Sequence, residues 1–134
     1  MIGEADLVIS VCIEKSKKFL LLRRGADQTR PGIWEFPSGR TRQGEKIKNT
    51  AIRLAREQTN IKLKAAEQVG MAESISGADH MVVLHFYSKT RGGAIRLSQQ
   101  HTDYRWADRR QINAMRPGRD ASEESLGFFD LRKR

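Results

Sequence analysis

Between Gly39 and Ile61 the chain reads GRTRQGEKIKNTAIRLAREQTNI, and Glu45, Arg53 and Glu57 are its residues best suited to chemistry. Gly39 and Gly44 bracket a tight loop that delivers Glu45 to the start of a helix. Unpaired amides and the helix dipole favour anions there, so a phosphate could sit at this point. Arg53 and Glu57 are four apart and share a helical face, close enough to pair or to divide the work around a bound substrate. Oxygen donors of this kind suit Mg²⁺ or Mn²⁺, which polarise a phosphoryl oxygen or activate water. The plainer alternative is a solvated Arg–Glu pair contributing roughly a few tenths of a kcal/mol.

Positioning such residues takes a helix framed by strands. Residues 46–59 lack Gly and Pro and place Ile47, Ala51, Ile52 and Ala55 on one side of a helical wheel. Asn60, which tolerates the left-handed conformation, is a natural stop. Upstream, DLVISVCIE (6–14) and KFLLLR (18–23) are strand-like runs separated by a polar turn, which predicts a hairpin. IWEF (33–36) lies between Gly/Pro breaks and predicts a short strand. Ile61 begins another extended run, and HMVVLHFYSKT (80–90) and AIRLS (94–98) read as further strands joined by an RGG turn. DRRQINAM (108–115) predicts a second helix stopped by Pro117 and Gly118, and the tail could form a short helix through Leu126. Strands interleaved with helices imply an α/β or α+β domain on a mixed sheet.

Composition narrows the partners. The 134 residues, 38% of them hydrophobic, suit one domain over 1–134, with no linker or repeat to divide it. Against 16 Asp and Glu stand 25 Lys and Arg, a formal charge of +9, which favours polyanions: a nucleotide, nucleic acid or anionic lipid. Arg23, Arg24, Arg40, Arg42, Lys46 and Lys48 gather around the loop that should rim a pocket, and arginine forks clamp phosphates without a metal. Cys12 is the sole cysteine, set in a strand-like run, so there is neither an intrachain disulfide nor a Cys-based zinc cluster. No apolar run approaches the roughly 18 residues that cross a bilayer. The expectation is a soluble cytoplasmic protein with no membrane partner.

The segment resembles the Nudix hydrolases, whose signature is G-x5-E-x7-R-E-U-x-E-E-x-G-U, with U a bulky aliphatic residue. Gly39, Glu45, Arg53, Glu57 and Ile61 match at the correct spacing, and Ala55 matches weakly. The preceding PGIWEFPSGR is similar to the lead-in of the nucleoside triphosphate pyrophosphohydrolase branch, and HTDYRWAD resembles a stretch near the end of many members. The resemblance implies an α/β/α sandwich with a mixed central sheet and a loop-helix-loop box at 39–61. It also implies Glu57 and Arg53 as catalytic residues, Glu57 and Glu45 as ligands of Mg²⁺ or Mn²⁺, and Asp103 as a candidate further acid. Arg23, Arg24, Trp34, Phe36, Gly39 and Arg40 are the expected substrate contacts, although Trp34 and Phe36 read equally well as core.

The box is degenerate. Leu54 and Gln58 stand where the signature has glutamates, and Arg42 stands where the loop is frequently acidic. A leucine offers a metal nothing, and an amide offers one carbonyl without charge. Two readings stay open. One is a hydrolase of nucleoside diphosphate derivatives with reduced or unusual activity. The other is a non-catalytic module that binds a nucleotide or RNA through a basic pocket. Many relatives dimerise, so a homodimer is a further expectation.

Overall fold

The computed structural model describes residues 5–115, and the expected helix of the tail lies outside them. Strands β1 (Asp6–Lys15) and β2 (Lys18–Arg24) form the predicted hairpin. Its two-residue turn holds Ser16 and Lys17 at φ of 50° and 66°, the paired left-handed geometry whose twist suits a tight hairpin. Two short strands follow, β3 (Trp34–Glu35) and β4 (Ser38–Gly39), then helix α1 (Ile47–Thr59). The hairpin of β5 (Glu67–Ser76) and β6 (Asp79–Lys89), strand β7 (His101–Ala107) and helix α2 (Arg109–Met115) complete the order.

The sheet runs β3-β2-β1-β6-β5, with β4 also pairing to β1 and β7 to β2. β1 and β6 are parallel and the other pairs antiparallel, giving the mixed α/β/α sandwich that the motif order implies. The sheet is covered on both faces, which explains why β1 and β2 read as near-continuous apolar runs. Ile9, Val11, Ile13, Leu20 and Leu22 join Ala51, Leu54 and Ala55 of α1 in one core cluster. Cys12, Phe19 and Leu21 join Phe36, Tyr87 and Ile112 of α2 in the other.

Three expectations are corrected. Residues 94–98 are no strand. Arg96 N–H donates to the Thr59 carbonyl at 3.1 Å and the Asn60 side-chain amide to the Ala94 carbonyl at 3.0 Å, so this stretch ties to the end of α1 while Ile95 and Leu97 pack on the core. The extended run after Ile61 becomes a strand only at Glu67. The buried stripe of α1 runs through Thr50, Ala51, Leu54, Ala55, Gln58 and Thr59, whereas Ile47 is exposed. Asn60 does take the left-handed cap, at φ 70°, and its N–H bonds to the Arg56 carbonyl.

Candidate functional site

Arg53 is the hub of the box. Its Nε donates to Glu45 Oε2 at 2.7 Å, its Nη1 to Glu57 Oε1 at 2.8 Å, and its Nη2 to Glu45 Oε1 at 3.0 Å and to the Arg40 carbonyl at 2.8 Å. One planar fork thus ties the loop to two turns of α1, which a lysine could not do. Glu45 also accepts from Thr50 Oγ1 at 2.7 Å and from the Arg42 amide at 3.1 Å, and Thr50 meets Thr41 hydroxyl to hydroxyl. Glu57 is held from its other side by Arg42 Nη2, at 3.1 and 3.3 Å.

These bonds lower both acids. Arg53 first, then Thr50 and the Arg42 amide, depress Glu45 from its ordinary 4.5 to about 2. Arg53, with Arg42, moves Glu57 in the same direction. A carboxyl depressed by folding contributes stability that is complete above its unfolded pKa and fades as pH falls toward its folded one. Unfolding free energy, followed by denaturant titration, is therefore expected to decline steadily from about pH 4.5 to about pH 2. A flat profile across that window would contradict the charged bonds.

The departures from the signature have structural roles. Leu54 is 4% exposed and belongs to the core beneath β1 and β2. It sits so close to Gly39 that a Cβ there would lie 2.6 Å from Leu54 Cδ2. Gln58, also buried, brackets Ser38 like a neighbouring strand. Its Oε1 accepts from the Ser38 amide at 3.2 Å, and its Nε2 donates to the Ser38 carbonyl at 2.7 Å. The loop after β4 is here fixed to α1 by an amide and a packed leucine.

Two cavities meet at Gly39 and Arg40. The first, about 270 Å³, is walled by apolar Val8, Ile33, Met81 and Val83 and by polar Ser10, Arg24, Arg30 and Glu35. Ser10 is 1% exposed, and its hydroxyl has no hydrogen-bond partner among the described residues. Glu35 is clamped between Arg24 Nη1 at 3.1 Å and His101 Nε2 at 2.9 Å. The second cavity is bordered by Arg42, Arg53, Glu57, Gln58 and the 98–100 loop.

Of the expected contacts, Arg24, Gly39 and Arg40 line the first cavity, Arg40 while paired with Asp6. Phe36 is wholly buried in the second core cluster, which corrects its expected substrate contact: it has no face to offer a base. Trp34 packs on the same cluster with the Arg105 guanidinium 5.4 Å from its ring centre. Arg23 donates to the Gly32 carbonyl and faces Asp103 across β2 and β7, and neither residue borders the two cavities. Ser10, Arg30 and Glu35 were not singled out from the sequence. Glu35 sits within the IWEF stretch, but nothing in a strand of Val and Ile marks Ser10 as facing a cavity.

Divalent cations fit this donor set poorly. Both oxygens of Glu45 and of Glu57 already accept charged bonds, and no group of three or more His, Cys, Asp or Glu is gathered in ligating reach among the described residues.

Residues 4–126 match the NUDIX domain family. The chain belongs to that family. A curated relative, the CTP pyrophosphohydrolase of Escherichia coli K12, is 32% identical over 62 residues, a match spanning 46% of this chain and 46% of the relative. The NUDIX domain of Shewanella oneidensis NrtR, solved with ADP ribose, superposes with a TM-score of 0.83 at 17% identity, covering 98% of this chain and 90% of that one. The MutT protein of Methanosarcina mazei Go1 also reaches 0.83, at 22% identity over 98% and 99%. These structures share the Nudix fold, and Nudix hydrolases as a class generally use divalent metals. No helix of the described residues is long and apolar enough to cross a membrane.

Proposed function

We propose that this Nudix domain binds a nucleotide or nucleoside diphosphate derivative, with the base or nucleoside in the first cavity and the phosphates toward Arg40 and Arg42, and with little turnover. The observation that carries the reading is Ser10: a fully buried hydroxyl without a partner among the described residues, in the wall of a cavity that also holds Arg24 and Glu35. A buried hydroxyl left unmade costs about 1–3 kcal/mol, which a ligand's polar edge would offset. The cavity lies just under the range of about 300–1,000 Å³ usual for small-molecule sites, room for one base with the remainder outside. The ties on Glu45 and Glu57, with no carboxylate at positions 54 and 58, support the reading of low turnover.

Slow hydrolysis is the second reading. It is favoured by Glu57, whose side chain is 35% exposed on the wall of the second cavity, and by the pyrophosphohydrolase activity named for the relative from Escherichia coli.

Calorimetric titration with CTP, ADP-ribose and a short 5'-triphosphate RNA, in EDTA and again in Mn²⁺, combined with a phosphate-release assay, separates the two. Saturable binding in EDTA without release supports a binding module. Release that needs Mn²⁺ and disappears in Glu57→Gln supports a hydrolase. Absence of binding and of release across the panel would overturn both. Ser10→Ala is expected to leave thermal stability unchanged or slightly raised while weakening the best ligand about tenfold, the worth of one hydrogen bond. Equal affinity in that variant would remove Ser10 from the site.

A further inference from the structure

We infer that the outer surface of α1, continued by segments 61–66 and 90–97, is a docking face for the phosphate backbone of a nucleic acid duplex, held without reading its sequence. Its cations are Lys48, Arg56, Lys62, Lys64, Arg91 and Arg96, all exposed. None of the six borders either cavity, so the face is separate from the nucleotide site proposed above and stands without it.

One layer of the sandwich presents them. Ile61 and Leu63 are buried in the core cluster that α1 covers, and Ile95 and Leu97 pack against the same cluster. The intervening Lys62 and Arg96, and Lys64 beside Leu63, are exposed, so they face outward from that layer. Bonds from the Arg96 N–H to the Thr59 carbonyl and from the Asn60 amide to the Ala94 carbonyl seat this connection at the C-terminal end of α1. Arg91 precedes Ala94 by three residues in the same connection. Along α1, Lys48 and Arg56 are two four-residue steps apart, about 12 Å on the axis, and turn from the flank that carries Glu57.

The charge of this face is unbalanced. At the cavities, Arg24, Arg40, Arg42 and Arg53 each hold a carboxylate. The six outer cations make no ion pair and no side-chain hydrogen bond among the described residues. Neither 58–66 nor 89–102 contains an Asp or Glu, so the chain around them supplies no partner. Like charge gathered in this way repels itself, and a polyanion relieves the repulsion. The kind of polyanion follows from what the face lacks. Residues 46–66 and 89–98 contain no Phe, Tyr or Trp, hence no ring on which an unpaired base could stack. Ile47, at 36%, is the one large apolar side chain exposed on this face among the described residues, too little to anchor in a bilayer. Charge without stacking or insertion suits a duplex, which carries one negative charge per about 1.7 Å of its axis.

The test titrates a short, fluorescently labelled DNA duplex of mixed sequence with the full chain, read by anisotropy in EDTA over a series of KCl concentrations. Log affinity should fall with log salt at a slope of about −4 or steeper, the release expected from about five phosphate contacts. A duplex of scrambled sequence should bind equally well. Arg56→Gln/Arg96→Gln and Lys62→Gln/Lys64→Gln should each weaken binding about tenfold or more and flatten the slope by about two. All four side chains are exposed and unpaired among the described residues, so both variants should melt at the native temperature. Arg42→Gln, at the second cavity, should leave duplex affinity unchanged, and excess CTP should not displace the duplex. The corresponding single strand and phosphatidylserine vesicles should bind more weakly. No duplex binding at low salt, native affinity in both double variants, or displacement by CTP would overturn the inference. So would a loss confined to Arg42→Gln, or a single strand or vesicle held as tightly as the duplex.

Discussion

Replacing Arg53 by alanine is expected to lower the unfolding free energy by about 3 kcal/mol, the toll of removing one partner from a largely buried ion pair. The size follows from what the guanidinium does. It donates to Glu45 through two nitrogens, to Glu57 through a third, and to the Arg40 carbonyl. Arg53 and Glu45 are 13% and 17% exposed, so solvent cannot replace the lost bonds well. Glu45 keeps Thr50 and the Arg42 amide, but it loses the guanidinium hydrogen bonds that contribute most to holding its carboxyl low. Its protonation should therefore shift upward, and the acid decline in stability should begin at higher pH in the variant. Arg53→Lys should recover only part of the loss, since an ammonium cannot span Glu45, Glu57 and the loop carbonyl from one plane. Denaturant titration at pH 7 and pH 4 checks both points. A loss under about 1 kcal/mol would mean that the fork behaves as a surface pair.

What could be read from the sequence depended on whether spacing or tertiary contact set the outcome. The Arg53–Glu57 pair and the Asn60 cap are local consequences of helical geometry, and both were legible. The β1–β2 hairpin was legible because both strands are buried on both faces and their apolar runs stand out. Strand β5 was not: Met71 and Ile75 are exposed, and Val69, which packs on the second cluster, is too little to make an alternating pattern. Residues 94–98 carry a strand-like pattern, but their backbone groups are engaged by Thr59 and Asn60, a contact across 34 positions that no local pattern reveals. The missing carboxylates at positions 54 and 58 were plain in the sequence. Their replacement roles were only half so. Leu54 continues the core stripe as its apolar neighbours imply, whereas the bracket of Gln58 on Ser38 depends on how the loop folds back over α1.

Leu54→Ala and Gly39→Ala should each destabilise the protein, and together they should cost less than their sum. Leu54 is 4% exposed within the main cluster, and truncating a buried leucine costs about 2–5 kcal/mol, with the upper part reserved for sites that cannot collapse. About 3 kcal/mol is expected, because the residue also borders the second cavity, where water can fill part of the void. Gly39 fails for the opposite reason. A methyl there would approach Leu54 Cδ2 to 2.6 Å, and Gly39 is paired to Ile9 of β1, so the backbone cannot easily retreat. Overpacking of this kind costs about 1–3 kcal/mol. In the double variant the alanine methyl occupies space that the leucine vacated, which relieves the clash and fills part of the cavity. A double-mutant cycle should then report a compensating interaction of about 1 kcal/mol or more. Simple additivity would mean that α1 and the loop shift apart in the Gly39 variant. The bracket between Gln58 and Ser38, one residue away, would then be too weak to hold them, and the box would be a hinge instead of a lock.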